Sequence, residues 1–205
     1  MPRVPYDRHD SHFRRARAAG YRARSAYKLI ELDDRFRILR AGERVADLGA
    51  WPGAWLQVAA ERVGPEGRVV GIDLTAVTPL GVPNVVVIQG DVRDPDAIGA
   101  LRKHLGGPAG VVLSDLSPKL TGVRDTDEAH ATELASAALD ATAKLLRPGG
   151  RLLMKLFMNS DFPTLVDRIR RSFAQVKTAK PVATRRASSE VYVAGIDFRQ
   201  PPSCG

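Results

Sequence analysis

Four short apolar runs each end in an aspartate: Asp47, Asp73, Asp91 and Asp115. An ionised carboxylate only accepts hydrogen bonds, so a row of them suits hydroxyls, amino groups and cations. Asp73 is placed to meet ribose hydroxyls, and Asp91 an adenine amino group. After Asp47 the chain reads Leu48-Gly49-Ala50-Trp51-Pro52-Gly53-Ala54-Trp55 and leads into a helix. Gly49 and Gly53 let the backbone approach a ligand at the carboxyl edge of a sheet, where a side chain would collide. Trp51 stands where G-x-G-x-x-G needs its second glycine, and no G-x-x-x-x-G-K-[ST] loop occurs, so a pyrophosphate is not the expected guest. A nucleoside without phosphates fits best. One Asp after a strand is an ordinary turn residue, whereas four in succession point to a binding edge. His9, His12, His104 and His130 lack metal-ligand spacing, and Cys204 is the single cysteine, so no metal and no intrachain disulfide are expected.

These residues need a scaffold, and the chain supplies one from Glu43 onward. Runs rich in Val, Ile and Leu at 44–49, 68–74, 84–90, 110–116 and 150–157 predict strands covered on both faces. Between them, 55–64 predicts a helix ending at Gly64. A second helix starts from Asp94 as N-cap with Pro95 in its first turn and stops at Gly106-Gly107. A longer one spans 127–146, with Ala131, Leu134, Ala135, Ala138 and Leu145 on one face. A basic amphipathic helix over 161–173 and strands near 174–179 and 189–197 follow. Strands alternating with helices predict a mostly parallel sheet with helices on both faces. Residues 25–36 predict a further helix ahead of this core.

At 205 residues, 44% hydrophobic and 26% charged, the chain suits one globular domain rather than a disordered or low-complexity segment. No run approaches the roughly 20 apolar residues that cross a bilayer, and the first residues lack a signal-peptide core, which predicts a soluble, cytoplasmic protein with no membrane partner. The net charge of +8 is unevenly spread: residues 1–28 carry +6 and residues 168–186 carry +7, leaving the rest at −5. If the fold joins these segments they form one phosphate-facing surface; otherwise they are solvated faces that maintain solubility.

The string D-L-G-A-x-P-G-x-W, followed by I-D, Q-G-D, S-D-x-x-P, Lys155 in the fifth strand and S-x-E-V-Y, resembles the FtsJ/RrmJ family of S-adenosylmethionine-dependent ribosomal RNA 2′-O-methyltransferases. The resemblance runs from about Tyr21 to Ala194. It implies a Rossmann-like α/β fold of the class I methyltransferases: a seven-stranded, mostly parallel sheet with an antiparallel last strand. Residues 1–20 would be a basic arm, 21–200 a single methyltransferase domain with 21–42 as a helical extension, and 201–205 a tail. The implied cofactor is S-adenosyl-L-methionine, held around Asp47, Gly49, Pro52, Gly53, Trp55, Asp73, Asp91 and Asp115.

The resemblance also implies a catalytic tetrad of Lys28, Asp115, Lys155 and Glu190, with Lys155 as proton acceptor. A lysine inside an apolar strand is costly to bury alone, and Asp115 on the neighbouring strand is its natural partner. A free lysine titrates near 10.4, too high for a base, so burial, Lys28 and the sulfonium would have to favour the neutral amine. Arg14, Arg15, Arg17, Arg22 and Arg24 precede Lys28, while Arg185 and Arg186 precede Glu190, and these are expected to grip RNA phosphates.

The implied reaction is methyl transfer to a ribose 2′-hydroxyl of 23S ribosomal RNA, at a uridine, by a monomer acting on the 50S subunit during ribosome assembly. A tRNA ribose is the alternative target of the same chemistry, and a noncatalytic RNA-binding assembly factor the alternative of another class. Two positions depart from the family pattern: Trp51 where a small residue is common, and Lys119 where Asn is common. The first alters the cofactor pocket wall, and the second sits at the substrate lip.

Overall fold

The structure is a computed structural model describing residues 16, 18–184 and 188–199. In chain order its elements are α1 (Ser25–Phe36), β1 (Arg44–Leu48), α2 (Ala54–Val63), β2 (Arg68–Asp73), β3 (Val85–Gln89), α3 (Pro95–Leu105), β4 (Ala109–Ser114), α4 (Arg124–Leu145), β5 (Leu146–Phe157), α5 (Phe162–Ser172), β6 (Phe173–Ala179) and β7 (Glu190–Phe198). They build one seven-stranded sheet in the order β3-β2-β1-β4-β5-β7-β6. Every pairing among β1 to β5 is parallel, and β7 runs antiparallel between β5 and β6. The expected fold class is therefore the observed one. Among the described residues, no helix is long and apolar enough to cross a membrane.

The near-continuous apolar strands divide their side chains by parity. Val45, Val69, Val111, Leu113 and Leu153 join the core against α1 and α2. Ala46, Val70, Ile72, Val112, Leu152 and Met154 join the second core, against α3, α4 and α5. Successive strand residues point to opposite faces, so a strand covered on both faces must be apolar at every position. That parity also dictates where the polar exceptions go. Asp47, Asp115 and Lys155 share it with Val45, Leu113 and Leu153, and Glu190 and Tyr192 share it with Ala194. All five face α1.

Helix ends follow local chemistry. The Asp94 carboxylate caps α3 by accepting from the Asp96 amide at 2.9 Å, Pro95 occupies the first turn, and Gly106 closes it at φ 70°. α4 starts at Arg124, three residues before the expected 127, because Asp127 folds back onto the preceding loop. Its carboxylate accepts from the Thr121 amide and hydroxyl, each at 2.7 Å, and from the Gly122 amide at 3.1 Å. β5 begins at Leu146, before the expected 150, since Leu146 pairs with Ala109 and a register shift between Ala109 and Val111 absorbs the Arg147–Gly150 segment.

The α5 part of the second basic segment lies away from α1. α5 packs on the face opposite α1, through Leu165, Val166 and Ile169. Arg168 contacts Asp140, and Arg170 pairs with Asp167 at 2.8 Å. A single phosphate-facing patch does not extend over α5, where Arg168 and Arg170 are engaged by acidic partners on α4 and on α5 itself.

Candidate active site

The order of the strands places β1 beside β4, and the chain leaves this pair in opposite directions. Loops after β1 and β4 thus flank a crevice at the carboxyl edge, the usual ligand position in such sheets. The loops touch closely: a Cβ added to Gly49, at φ 88°, would lie 2.9 Å from Leu116 Cδ2 and 3.0 Å from the Leu116 nitrogen. The Gly49 and Ala50 amides donate to the Ile72 carbonyl at 2.9 and 3.1 Å, folding the turn over β2. A cleft of about 440 Å³ opens there, walled by Gly49, Trp51, Asp73, Asp91 and Asp115 among others. Lys119, an exposed residue, also lines this cleft.

Asp73 accepts from the Trp51 amide at 2.9 Å and from the Thr75 amide at 2.8 Å. Each of its oxygens keeps a lone pair for a further donor. Asp91 is engaged by Arg93, whose Nη2 donates to Oδ2 at 2.7 Å and whose Nε lies 3.0 Å from both oxygens; these hydrogen bonds hold the carboxyl below its usual range. Asp47 is fully buried beneath the cleft, and neither oxygen has a hydrogen-bond partner among the described residues. Burial foremost, then the charges of Asp115 and Asp73, pushes its carboxyl well above the ordinary range.

Pro52, in a cis peptide bond with Trp51, and Gly53, at φ 105°, complete the turn behind the cleft. The Trp55 indole is turned into the core and does not wall the cleft: its Nε1 donates to the Ser25 carbonyl at 2.9 Å and its ring stacks obliquely on Tyr192, centroids 6.0 Å apart. Trp55 therefore ties α2 to the start of α1, the helix that delivers Lys28. Arg22, expected to contact RNA, has its guanidinium engaged within the protein. Its guanidinium donates to the carbonyls of Pro52 at 3.1 Å, Thr78 at 2.5 Å and Pro79 at 2.9 Å, stapling the glycine turn to the 75–80 loop.

Beside the cleft, charged side chains from α1, β5, β7 and the loop after β4 converge in two pairs. Lys155 Nζ lies 3.2 Å from Asp115 Oδ1 and donates to the Asp115 main-chain carbonyl at 2.9 Å. Lys28 Nζ donates to Glu190 Oε2 at 2.7 Å. Both lysines are nearly buried, Lys28 at 7% exposure and Lys155 at 8%. Burial opposes ionisation of Glu190, but the hydrogen bond from Lys28 and the charges of Lys28, Lys155 and Arg24 outweigh it and lower its pKa.

Tyr192 links the two pairs and was not anticipated from sequence. It stands opposite Lys155 in the β5–β7 register, its hydroxyl donates to Asp115 Oδ1 at 2.8 Å, and the Lys28 ammonium sits 5.6 Å from its ring centroid. Burial, then Asp115 and Glu190, raises its phenol well above the ordinary value, so it is a fixed donor at neutral pH. The available signal was strand parity: Tyr192 is two residues beyond Glu190, on the same face.

Of the remaining expected RNA contacts, Arg24 immediately precedes α1, near Glu190. Arg14, Arg15, Arg17, Arg185 and Arg186 lie outside the described residues. No group of three or more metal-binding side chains occurs among the described residues.

A seven-stranded sheet with β7 inserted antiparallel, a glycine turn after β1 and acidic strand ends define a Rossmann-like methyltransferase. The family model of FtsJ-like methyltransferases matches residues 21–198. The chain belongs to that family and is a methyltransferase. It is 45% identical over 198 residues, 96% of its length and 100% of the relative's, to a ribosomal RNA large subunit methyltransferase E from Syntrophobacter fumaroxidans. A protein of the same name from Methanothrix thermoacetophila is 46% identical over 189 residues, 92% of this chain and 72% of that one. Among solved structures, one described as a ribosomal RNA methyltransferase from Plasmodium falciparum superposes with a TM-score of 0.78 at 28% identity, covering 87% of this chain and 98% of that one.

Proposed function

We propose that this enzyme methylates the 2′-hydroxyl of a ribose in large-subunit ribosomal RNA, using S-adenosylmethionine as methyl donor. The observation that carries the reading is the paired arrangement of Lys155–Asp115 and Lys28–Glu190 beside a carboxylate-walled cleft. The names of the curated relatives favour the large ribosomal subunit over tRNA.

The residues fit a nucleoside cation. Asp73 has lone pairs for ribose hydroxyls, the Gly49 turn leaves room only for a residue without a Cβ, and the orphaned carboxylate of Asp47 lies under the same crevice. Gly53 and Pro52 shape the turn, and Asp91 offers its outer edge to an amino group. When bound, S-adenosylmethionine supplies a methyl group on positively charged sulfur. The chain's own task is to aim an oxygen at that methyl and remove its proton.

Lys155 accepts the proton of the attacking hydroxyl on Nζ. Asp115 fixes that nitrogen by two contacts, one to its carboxylate and one to its main chain, and Tyr192 fixes Asp115. Glu190, kept ionised by Lys28, accepts a hydrogen bond from the incoming nucleotide, and Lys28 steadies the negative charge that develops on the oxygen. Only RNA carries the nucleophile this geometry serves. Arg24 beside Glu190, with Arg14, Arg15, Arg17, Arg185 and Arg186, supplies cations for the flanking phosphates.

Transfer of labelled methyl groups to isolated 50S subunits, naked ribosomal RNA and tRNA tests the reading. Label is expected in ribosomal RNA, in a linkage that resists alkaline hydrolysis because the 2′-oxygen is blocked. Label confined to tRNA, or to bases, overturns it.

A further inference from the structure

A second cavity adjoins the cofactor cleft, and nothing in the mechanism above uses its far walls. It measures about 510 Å³ and is lined by Pro118, Leu120, Phe157, Met158 and Glu190, among others. Pro118 lines both cavities, so the two are neighbours across the Asp115–Pro118 segment. Leu120 is 68% exposed and Met158 56% exposed. Scattered single apolar residues on a surface need no explanation, but Leu120 and Met158 line one cavity together with Pro118 and Phe157.

The jaws are built, not incidental. Leu120 sits on a loop pinned by Asp127, which accepts from both backbone and side chain of Thr121 and from Gly122. Met158 is fixed from the other side by its amide, which donates to the Ser189 carbonyl at 2.9 Å, one residue before Glu190. The Met158 thioether and the Leu120 isobutyl group give this cavity apolar surface against which a planar ring can pack. Between them the cavity opens onto Glu190, which pairs with Lys28.

Lys155 Nζ is nearly buried, so a ribose in a continuous stacked helix cannot bring its 2′-oxygen there unless its nucleotide leaves the stack. An extruded nucleotide needs an apolar place for its base, and proteins that read unpaired RNA provide one by sandwiching the base between side chains. We propose that Leu120 and Met158 clamp the base of the target nucleotide in this cavity, so that the enzyme acts on an unpaired or extruded ribonucleotide whose base is held by apolar contact. The proposal rests on the reading of the enzyme as an RNA ribose methyltransferase and adds the site of the base.

The test uses the full-length enzyme with Leu120→Ser, Met158→Gln and the double substitution. Both residues are solvent-exposed, so the sheet core is untouched, and cofactor affinity by titration serves as a check on folding and on the neighbouring cleft. With 50S subunits as substrate, the double variant is expected to lose at least tenfold in kcat/KM while cofactor Kd stays within twofold of the parent. Leu120→Met and Met158→Leu, which keep apolar jaws, are expected to restore at least half of the parental value. A double variant within twofold of the parent in kcat/KM overturns the clamp while leaving the methyltransferase reading standing. A parent enzyme that transfers no methyl group to ribosomal RNA overturns both.

Discussion

The Tyr192 hydroxyl and Lys155 Nζ reach the same oxygen, Asp115 Oδ1, at 2.8 and 3.2 Å, from residues that face each other across the β5–β7 pairing. One carboxylate thus receives two donors from adjacent strands, and Lys155 gains a second anchor on the Asp115 main chain. The nitrogen assigned to proton transfer is held by backbone register rather than by a mobile loop, which suits a group whose position must be exact to well under an ångström.

Tyr192→Phe separates this positioning from packing, since the ring stays and only the donor is lost. The variant is expected to lose about 1 kcal/mol of stability. Its kcat should fall about tenfold as Lys155 loosens, with KM for cofactor and RNA unchanged. A purely structural tyrosine would lower the melting temperature and leave kcat alone.

Asp47 gives a pH signature. In the unfolded chain its carboxyl releases its proton near pH 4, whereas in the native chain burial and the neighbouring Asp115 and Asp73 hold the proton to well above that range. Between those limits the native state binds more protons than the unfolded one, so stability falls as pH rises. Asp47→Asn cannot titrate. Its melting temperature minus that of the parent is expected to grow from pH 4.5 to pH 8, while its cofactor affinity drops. A difference that stays constant with pH would count against a raised Asp47.

Arg22 is expected to matter for the cofactor turn rather than for RNA. Arg22→Ala removes donors to three main-chain carbonyls and should cost about 2 kcal/mol of stability while weakening cofactor binding. The slope of RNA affinity against salt concentration should not change, because no phosphate contact is lost. A slope reduced by about one would place the guanidinium on RNA instead.

The strands were legible because a sheet covered on both faces leaves its mark at every position, as in Val69-Val70 or Leu152-Leu153. The Asp94–Pro95 start and Gly106 stop of α3 were equally plain, since each is a local rule about unpaired backbone groups. Tyr192 was hidden because a tyrosine among valines reads as core until its neighbour in register is known. The bonds of Arg22 were not legible because its partners are carbonyls, which every residue possesses and no sequence displays. The α5 arginines looked like a phosphate surface because Asp140, which contacts Arg168, lies on another helix 28 residues earlier. In each case the missing information was a contact distant in sequence.

The central claim is that Lys155 takes the proton from the attacking hydroxyl, and Lys155→Ala tests it most directly. Single-turnover methyl transfer to 50S subunits should fall by about 10²- to 10⁴-fold, while cofactor affinity, measured by titration on the same preparation, stays within about threefold, because the Asp73 and Gly49 contacts are untouched. A variant that binds cofactor normally and still transfers methyl groups within about fivefold of the parental rate would contradict the assignment.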